Sequence, residues 1–199
     1  MTPPPQQPAG GGGQMPSWTN NVTARGTVSG PAGVALADIP DRIIAFVIDA
    51  IILGVIGFIV STLTLGVLGD NYGVFGIAYR GHNLVSSLAT AAIMLVVSGA
   101  YFIGMWSRMG GATVGQKVMK LSVRDATSGA PINQSQAITR WMYVGAPFAL
   151  SFLYVWGLIG WLVSLAVLGY EIYLIMTTAQ SATRQGFHDV QAKTVVAKG

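Results

Sequence analysis

An acidic and a basic residue share the first long apolar stretch of this chain. Asp49 follows Arg42 by seven residues, almost two helical turns, so both side chains lie on one helix face about 10 Å apart along the axis. A carboxylate in an apolar run is costly in a bilayer and usually faces a bundle interior or a water-filled cavity. Two interpretations stay open: a site that binds a proton or a cation, or a structural carboxylate that pairs with Arg42 or Arg140.

Glu171 is the only charged residue between Trp141 and Thr178. If the last helix ends near Thr178, Glu171 lies about seven residues from that end, at a depth similar to that of Asp49. Two acids at one depth would share a proton or hold a cation between them. The alternative is that Glu171 faces the membrane interface or forms hydrogen bonds with its tyrosine neighbours, Tyr170 or Tyr173.

The segment from Gly110 to Lys117 is a weak match to a phosphate-binding loop. Gln116 separates the glycine from the lysine, and Val118 stands where that loop has Ser or Thr. No strand precedes the segment, so we do not expect a nucleotide site. We expect a tight turn that leaves the membrane, with Lys117 and Lys120 at the headgroups.

The two histidines lie far apart in the sequence. His188 precedes Asp189, and their side chains would diverge in an extended segment. No nucleophilic serine motif accompanies them. Asp189 is therefore expected to cap a helix or to pair with a basic residue. His82, beside Arg80, is expected to be solvated.

Composition places the chain in the membrane class. Charged residues make up 9% of its 199 residues, hydrophobic residues 52%, and the mean hydropathy is +0.56. A soluble domain carries about 25% charged residues. The chain has no cysteine and two histidines, so thiolate and histidine-rich metal sites are excluded and no cofactor is expected. Without a nucleophile–base set, we expect no enzyme activity.

The apolar runs predict an all-α integral membrane protein, a bundle of three or four transmembrane helices. Gly157 and Gly160 suggest a turn within the last long run, although one tilted helix or a re-entrant hairpin also fits it. Pro- and Gly-rich residues 1–37 predict a disordered arm, and residues 38–199 the transmembrane domain. The predicted spans are about 43–67, 84–106, 141–156 and 158–178. Tyr101 and Trp106 are placed in an interfacial aromatic belt.

The basic residues predict the orientation of the chain. Five lie in the connection after the second span and three in the C-terminal tail, whereas the first loop holds only Arg80. By the positive-inside rule, the connection and both termini are cytoplasmic in a multi-pass protein of the cell membrane. Lys120–Arg124 and Thr194–Val196 are β-prone and are expected to pair as a small cytoplasmic cap. The net charge of +4 thus indicates lipid headgroups, not nucleic acid.

Three motifs in order resemble the RDD family of small bacterial membrane proteins, which is named for one arginine and two aspartates. The stretch DRIIAFVIDA contains Arg42 and Asp49. The stretch from Gly110 to Gly129 is similar to the loop of the family, and FHDVQAKTVVA to its closing motif. Gln116 departs from the pattern, which usually has a basic pair after the glycine. The resemblance implies that the following motif residues belong to the cytoplasmic side: Gly111, Thr113, Gly115, Lys117, Asp125, His188 and Asp189.

The resemblance implies a membrane domain of largely undefined function that is often suspected of a role in transport. Our leading hypothesis is a transport-related protein, acting on protons, small cations or an unidentified solute, with Arg42, Asp49 and Glu171 as the intramembrane polar site. The alternative is a structural or accessory protein that scaffolds a partner complex. Besides the lipid bilayer, the expected partners are further copies of the chain or a membrane partner protein.

Overall fold

The computed structural model describes residues 29–74, 77–153 and 157–199. Six helices and four short strands follow a 3₁₀ turn at Pro31–Gly33. In chain order they are α1 Ile39–Leu68, β1 Asp70–Val74, β2 Ile77–Gly81, α2 Leu84–Arg108, α3 Val114–Val118, β3 Leu121–Asp125, α4 Gln134–Leu150, α5 Gly157–Gln180, α6 Phe187–Gln191 and β4 Thr194–Lys198.

Three of these helices, α1, α2 and α5, are long and apolar enough to cross a membrane. Much of their surface is apolar and exposed, as lipid-facing helices require. Helix α2 packs mainly against α4 and α1. With 17 residues, α4 is shorter, about 25 Å at 1.5 Å per residue.

The last apolar run divides at a different place from the predicted one. Helix α4 ends at Leu150 and α5 begins at Gly157, so Gly160 lies inside a helix and not in a turn. Helix α4 also begins seven residues before Trp141, because Asn133 and Gln136 form a reciprocal capping box at its N-terminus. Polar capping residues outside the apolar run extend the helix beyond it.

The two predicted cap segments do pair. Strands β3 and β4 are antiparallel, with Val123 opposite Val196, and the inward side chains of both strands are buried. The connection after α2 and the C-terminal tail therefore meet at one end of the helices. We call this unit the cap: α3, β3, α6 and β4 together. A second hairpin, β1–β2, joins α1 to α2 and was not predicted.

The last nine residues of the predicted disordered arm belong to the fold. The backbone N–H of Ala37 donates to the carbonyl of Val196 at 2.9 Å, and that of Lys198 donates to the carbonyl of Ala35 at 2.8 Å. Leu36 and Ala37 are buried. Residues 35–37 thus lie along β4, whereas residues 1–28 of the predicted arm lie outside the described residues.

Candidate functional site

The first turn of α1 is fastened to the cap by charged side chains. Asp38 pairs with Arg184, and Lys198 Nζ donates to Asp41 at 2.7 Å. Arg42 Nη1 donates to Asp189 Oδ2 at 2.9 Å, and its Nη2 lies 3.4 Å from the carbonyl oxygen of Val196. Arg42 and Asp49 share one face of α1, but their side chains are not paired, because the arginine extends to the cap.

Asp189 is the centre of a buried ion cluster. Its side chain is 0% exposed and pairs with Arg42 and Arg140. The backbone N–H of Gly186 donates to Oδ2 at 3.1 Å, capping α6. Arg140 Nη1 also donates to the hydroxyl of Thr194 at 2.7 Å. This carboxylate therefore joins α1, α4, α6 and β4 at one point, and both expected roles of Asp189, capping and pairing, are present.

The charge state of this cluster follows from its surroundings. Burial alone would raise the pKa of Asp189, but Arg140, His188 and Arg42 together hold it well below its usual range. For His188, burial lowers the pKa to about 4 against the opposing effect of Asp189, and both arginines add to the lowering. At neutral pH the cluster therefore contains two guanidiniums, one carboxylate and a neutral imidazole.

Asp49 has different partners, all of them neutral. The hydroxyls of Tyr101 and Thr113 donate to it at 2.6 and 2.5 Å, and the backbone N–H of Gly115 donates at 2.8 Å. The predicted pairing of Asp49 with Arg42 or Arg140 is wrong, since both arginines bind Asp189. Asp49 is only 3% exposed, and it fixes the loop that carries α3 against α1.

Close packing explains why this loop contains glycine. A Cβ atom on Gly115 would lie 2.0 Å from the carbonyl oxygen of Ala45, so any other residue would push α3 away from α1. Gly111 has a φ of 78°, which favours glycine, and its carbonyl accepts from Val123 N–H at 2.6 Å. Both glycines are required by the approach of the loop to its neighbours.

The remaining loop residues have structural contacts or face outward. Thr113 and Gln116 form a capping box on α3, and the Gln116 carbonyl also accepts from Trp106 Nε1 at 3.0 Å. Asp125 accepts hydrogen bonds from the N–H groups of Thr127 and Ser128 and from the side-chain amide of Gln136. Burial alone would raise the pKa of Asp125, but these hydrogen bonds lower it. Lys117 is exposed.

Two aromatic residues assigned to an interfacial belt lie inside the site instead. Trp106 is 2% exposed and the guanidinium of Arg140 lies over its ring, 5.1 Å from the centroid. Tyr101 donates to Asp49. The belt prediction is wrong for both, because the cap covers this end of α2.

His82 is half-buried and not solvated. Its ring nitrogens lie 3.0 Å from the Ser61 hydroxyl and 3.1 Å from the Ser86 hydroxyl. Burial lowers its pKa. These contacts tie the end of α1 to the start of α2, far from the cap.

One cavity of about 100 Å³ lies between the helices and the cap. Asp49 and Glu171 both line it, together with Arg42, Arg140 and His188. Four buried atoms of these residues have no hydrogen-bond partner among the described residues: Arg42 Nε, Arg140 Nε, His188 Nδ1 and Glu171 Oε1. Tyr170 donates to the carbonyl of Tyr143 instead of to Glu171. The cavity therefore brings together all three residues of the predicted polar site, without a direct bond among them.

Sequence reasoning gave several residues of this site other partners or roles. Arg140, Tyr101, Thr194 and Gln116 all contact one of the two aspartates or the loop between them. Arg140 was the only charge near the start of the third apolar run, which is the signal that could have placed it here. Tyr101 and Thr194 carry no comparable signal.

Comparison with family models gives a match to one model. The model described as the RDD family matches residues 36–193, which include both aspartates, both arginines and all but one of the residues that line the cavity. Neither the curated proteins nor the solved structures contain a match.

The charge state of His188 predicts a pH dependence of stability. The native ring stays neutral down to about pH 4, whereas an unfolded histidine takes up a proton near pH 6.5. The unfolded state thus binds more protons between these values, so stability falls as the pH falls from about 6.5 towards 4. We expect the free energy of unfolding in detergent to drop by about 2 kcal/mol between pH 7.5 and 5 through this residue alone. The His188→Gln variant should lose that part of the slope, and identical slopes in both proteins would contradict the assignment.

Proposed function

This chain belongs to the RDD family, a family of membrane proteins, and from that premise we propose that it is a transport-related protein that moves a small solute or ion through the cavity beneath the cap. The observation that carries the proposal is the group of unpartnered buried atoms on that cavity. A buried polar group without a partner is rare, since it costs about 1–3 kcal/mol. A ligand bound in the cavity would supply hydrogen-bond partners for these four atoms.

Glu171 is the residue on which the proposal depends most. It lies within α5, one of the three candidate spans, and its Oε1 is buried without a partner. An ionisable residue at such a position is expensive and is commonly functional. Asp49, by contrast, has its oxygens occupied by three donors. We therefore assign the solute-responsive role to Glu171 and a loop-anchoring role to Asp49, which differs from the role expected of Asp49 from sequence.

The orientation of the chain is part of the proposal. The pairing of β3 with β4 places the basic connection and the basic tail at the same end of the helices, and the excess of Lys and Arg there favours the cytoplasmic side of the plasma membrane. Helices α4 and α5 then form an outward and a returning segment, and both termini are cytoplasmic.

The orientation is tested with single cysteines, since the chain has none of its own. Thr127→Cys reports on the cap and Ala78→Cys on the β1–β2 hairpin; both positions are exposed. In intact cells, a membrane-impermeant maleimide should label Ala78→Cys and spare Thr127→Cys. The reverse labelling pattern would contradict the proposed orientation, and cell lysis should expose both sites as a control.

Flux through liposomes tests the transport role. Purified protein is reconstituted, and flux is followed under imposed gradients of pH, Na⁺, K⁺ and small anions. We expect Glu171→Gln to lower flux at least tenfold while the protein stays folded, because the change removes the titrating group and keeps the size. Asp49→Asn is the matched comparison: it should keep flux per folded molecule but lower the unfolding midpoint, because one acceptor oxygen becomes a donor.

The rival function is a structural or accessory role, and one observation favours it. The charged residues Arg42, Asp49, Asp189 and Arg140 all have contacts that hold the cap to the helices. A scaffold whose cap recruits a partner protein would need no more than this. The absence of flux from the wild-type protein under every gradient would reject transport and favour the accessory role, and association of copies would be consistent with either.

A further inference from the structure

The unpartnered atoms on the cavity differ in their hydrogen-bonding character, and this difference indicates the class of ligand. Arg42 Nε and Arg140 Nε can only donate. Every described carboxylate near them is engaged: Asp189 by both guanidiniums and Asp49 by its three neutral donors. The two N–H groups therefore require an acceptor that the described residues of the chain do not supply. A ligand that fits here presents acceptor atoms to two arginines.

The unpartnered donors favour an anion over a metal or alkali cation. Two guanidiniums face one carboxylate in the Asp189 cluster, and the neutral His188 adds no negative charge. Asp49 contributes a second carboxylate to the lining, so that with Glu171 protonated the charges of the two arginines are balanced by those of Asp189 and Asp49. A cation would find free carboxylate oxygens in the described lining only on Glu171 and would be repelled by both arginines. An oxyanion satisfies both Nε–H groups at once.

Glu171 then decides the protonation state of the loaded cavity. A bound anion and an ionised Glu171 would repel each other within about 100 Å³. If Glu171 takes a proton from solvent when the anion binds, the repulsion disappears and the carboxylic acid can donate to the ligand. The other charged or titratable residues that line the cavity with Glu171 are Arg42 and Asp49 from α1, Arg140 from α4 and His188 from α6.

We propose that the cavity binds a small monovalent oxyanion, of the size of formate or acetate, together with one proton on Glu171. At about 100 Å³ the cavity is smaller than a cavity of about 150 Å³ that holds benzene, which favours a solute of only a few non-hydrogen atoms. The proposal rests on the proposed function and deepens it, because it names the class of solute that the same cavity would move. Binding and flux are nevertheless measured separately.

Equilibrium binding in detergent tests the proposal. Sodium acetate is titrated into the purified protein in gluconate buffer by calorimetry, with the unfolding midpoint as a second readout. Sodium gluconate, which is too large for the cavity, is the matched control at equal ionic strength. Acetate should bind saturably and raise the unfolding midpoint, and gluconate should do neither. Because one proton is taken up when acetate binds, the affinity for acetate should fall as the pH rises. The fall should reach up to tenfold per pH unit at pH values where Glu171 is ionised in the free protein.

Variants with single substitutions locate the site. Glu171→Gln mimics the protonated acid, so it should bind acetate with an affinity that no longer depends on pH. Val144→Phe fills the cavity without changing charge and should abolish binding, with Val144→Leu as the milder substitute if the first fails to fold. His82→Gln, which lies outside the cavity lining, is the matched control and should keep the pH dependence of wild type. Loss of that dependence in His188→Gln but not in Glu171→Gln would assign the proton to the histidine and overturn the proposal.

The remaining outcomes separate this inference from the proposed function. Equal midpoint shifts with acetate and gluconate, or acetate binding that survives both Val144 variants, would overturn the anion site. Cation flux that requires Glu171, without acetate binding, would overturn the anion site and leave the transport role intact. Acetate binding in the absence of any flux would support the site and reject transport.

Discussion

The structure depends on one buried carboxylate held between two guanidiniums. Asp189 has no exposed surface, and its partners Arg42 and Arg140 come from two different helices. Removing three charges from water costs several kcal/mol for each ion, and the cost is recovered only when the geometry is good and further hydrogen bonds are made. Gly186 N–H and the Thr194 hydroxyl contribute to those bonds. The cap is therefore held in register with the helices by a contact that tolerates little displacement.

The second buried aspartate, Asp49, is stabilised without a positively charged partner. Asp49 is stabilised by two hydroxyls and one backbone N–H, which together hold the α3 loop against α1. Since each of the two aspartates has a full set of partners, the buried side-chain atoms left without partners among the described residues are Arg42 Nε, Arg140 Nε, His188 Nδ1 and Glu171 Oε1. The anchoring of the cap thus produces the cavity and also determines which atoms line it.

The sequence predicted the larger elements because their signals are strong and local. The apolar run that contains Asp49 is long enough to span a bilayer, and the β-prone segments around Val123 and Val196 pair as expected. Short-range capping signals were read less well, since Asn133 and Gln136 lie outside the apolar run whose helix they begin. The disordered arm was extended too far, because Leu36 and Ala37 are ordered only through their contacts with β4.

The partners of the charged residues could not be predicted from spacing. A shared helix face placed Arg42 near Asp49, but the reach of an arginine side chain and the position of the cap direct it to Asp189, 147 residues away in sequence. Tyr101 and Trp106 show the same effect, since their positions near a helix end are typical of interfacial residues. Only the tertiary arrangement shows that the cap covers that end. Long-range pairing of this kind is not encoded in any local pattern.

The most direct test is the free energy of unfolding of Asp189→Asn compared with Asp38→Asn. Asp189 is 0% exposed, whereas the Asp38 side chain, also paired with an arginine, is 54% exposed. Removing the buried charge should cost about 3–5 kcal/mol because two guanidiniums lose their countercharge, and the exposed pair should cost at most about 1 kcal/mol. If both variants lose the same small amount, Asp189 does not hold the cap to the helices.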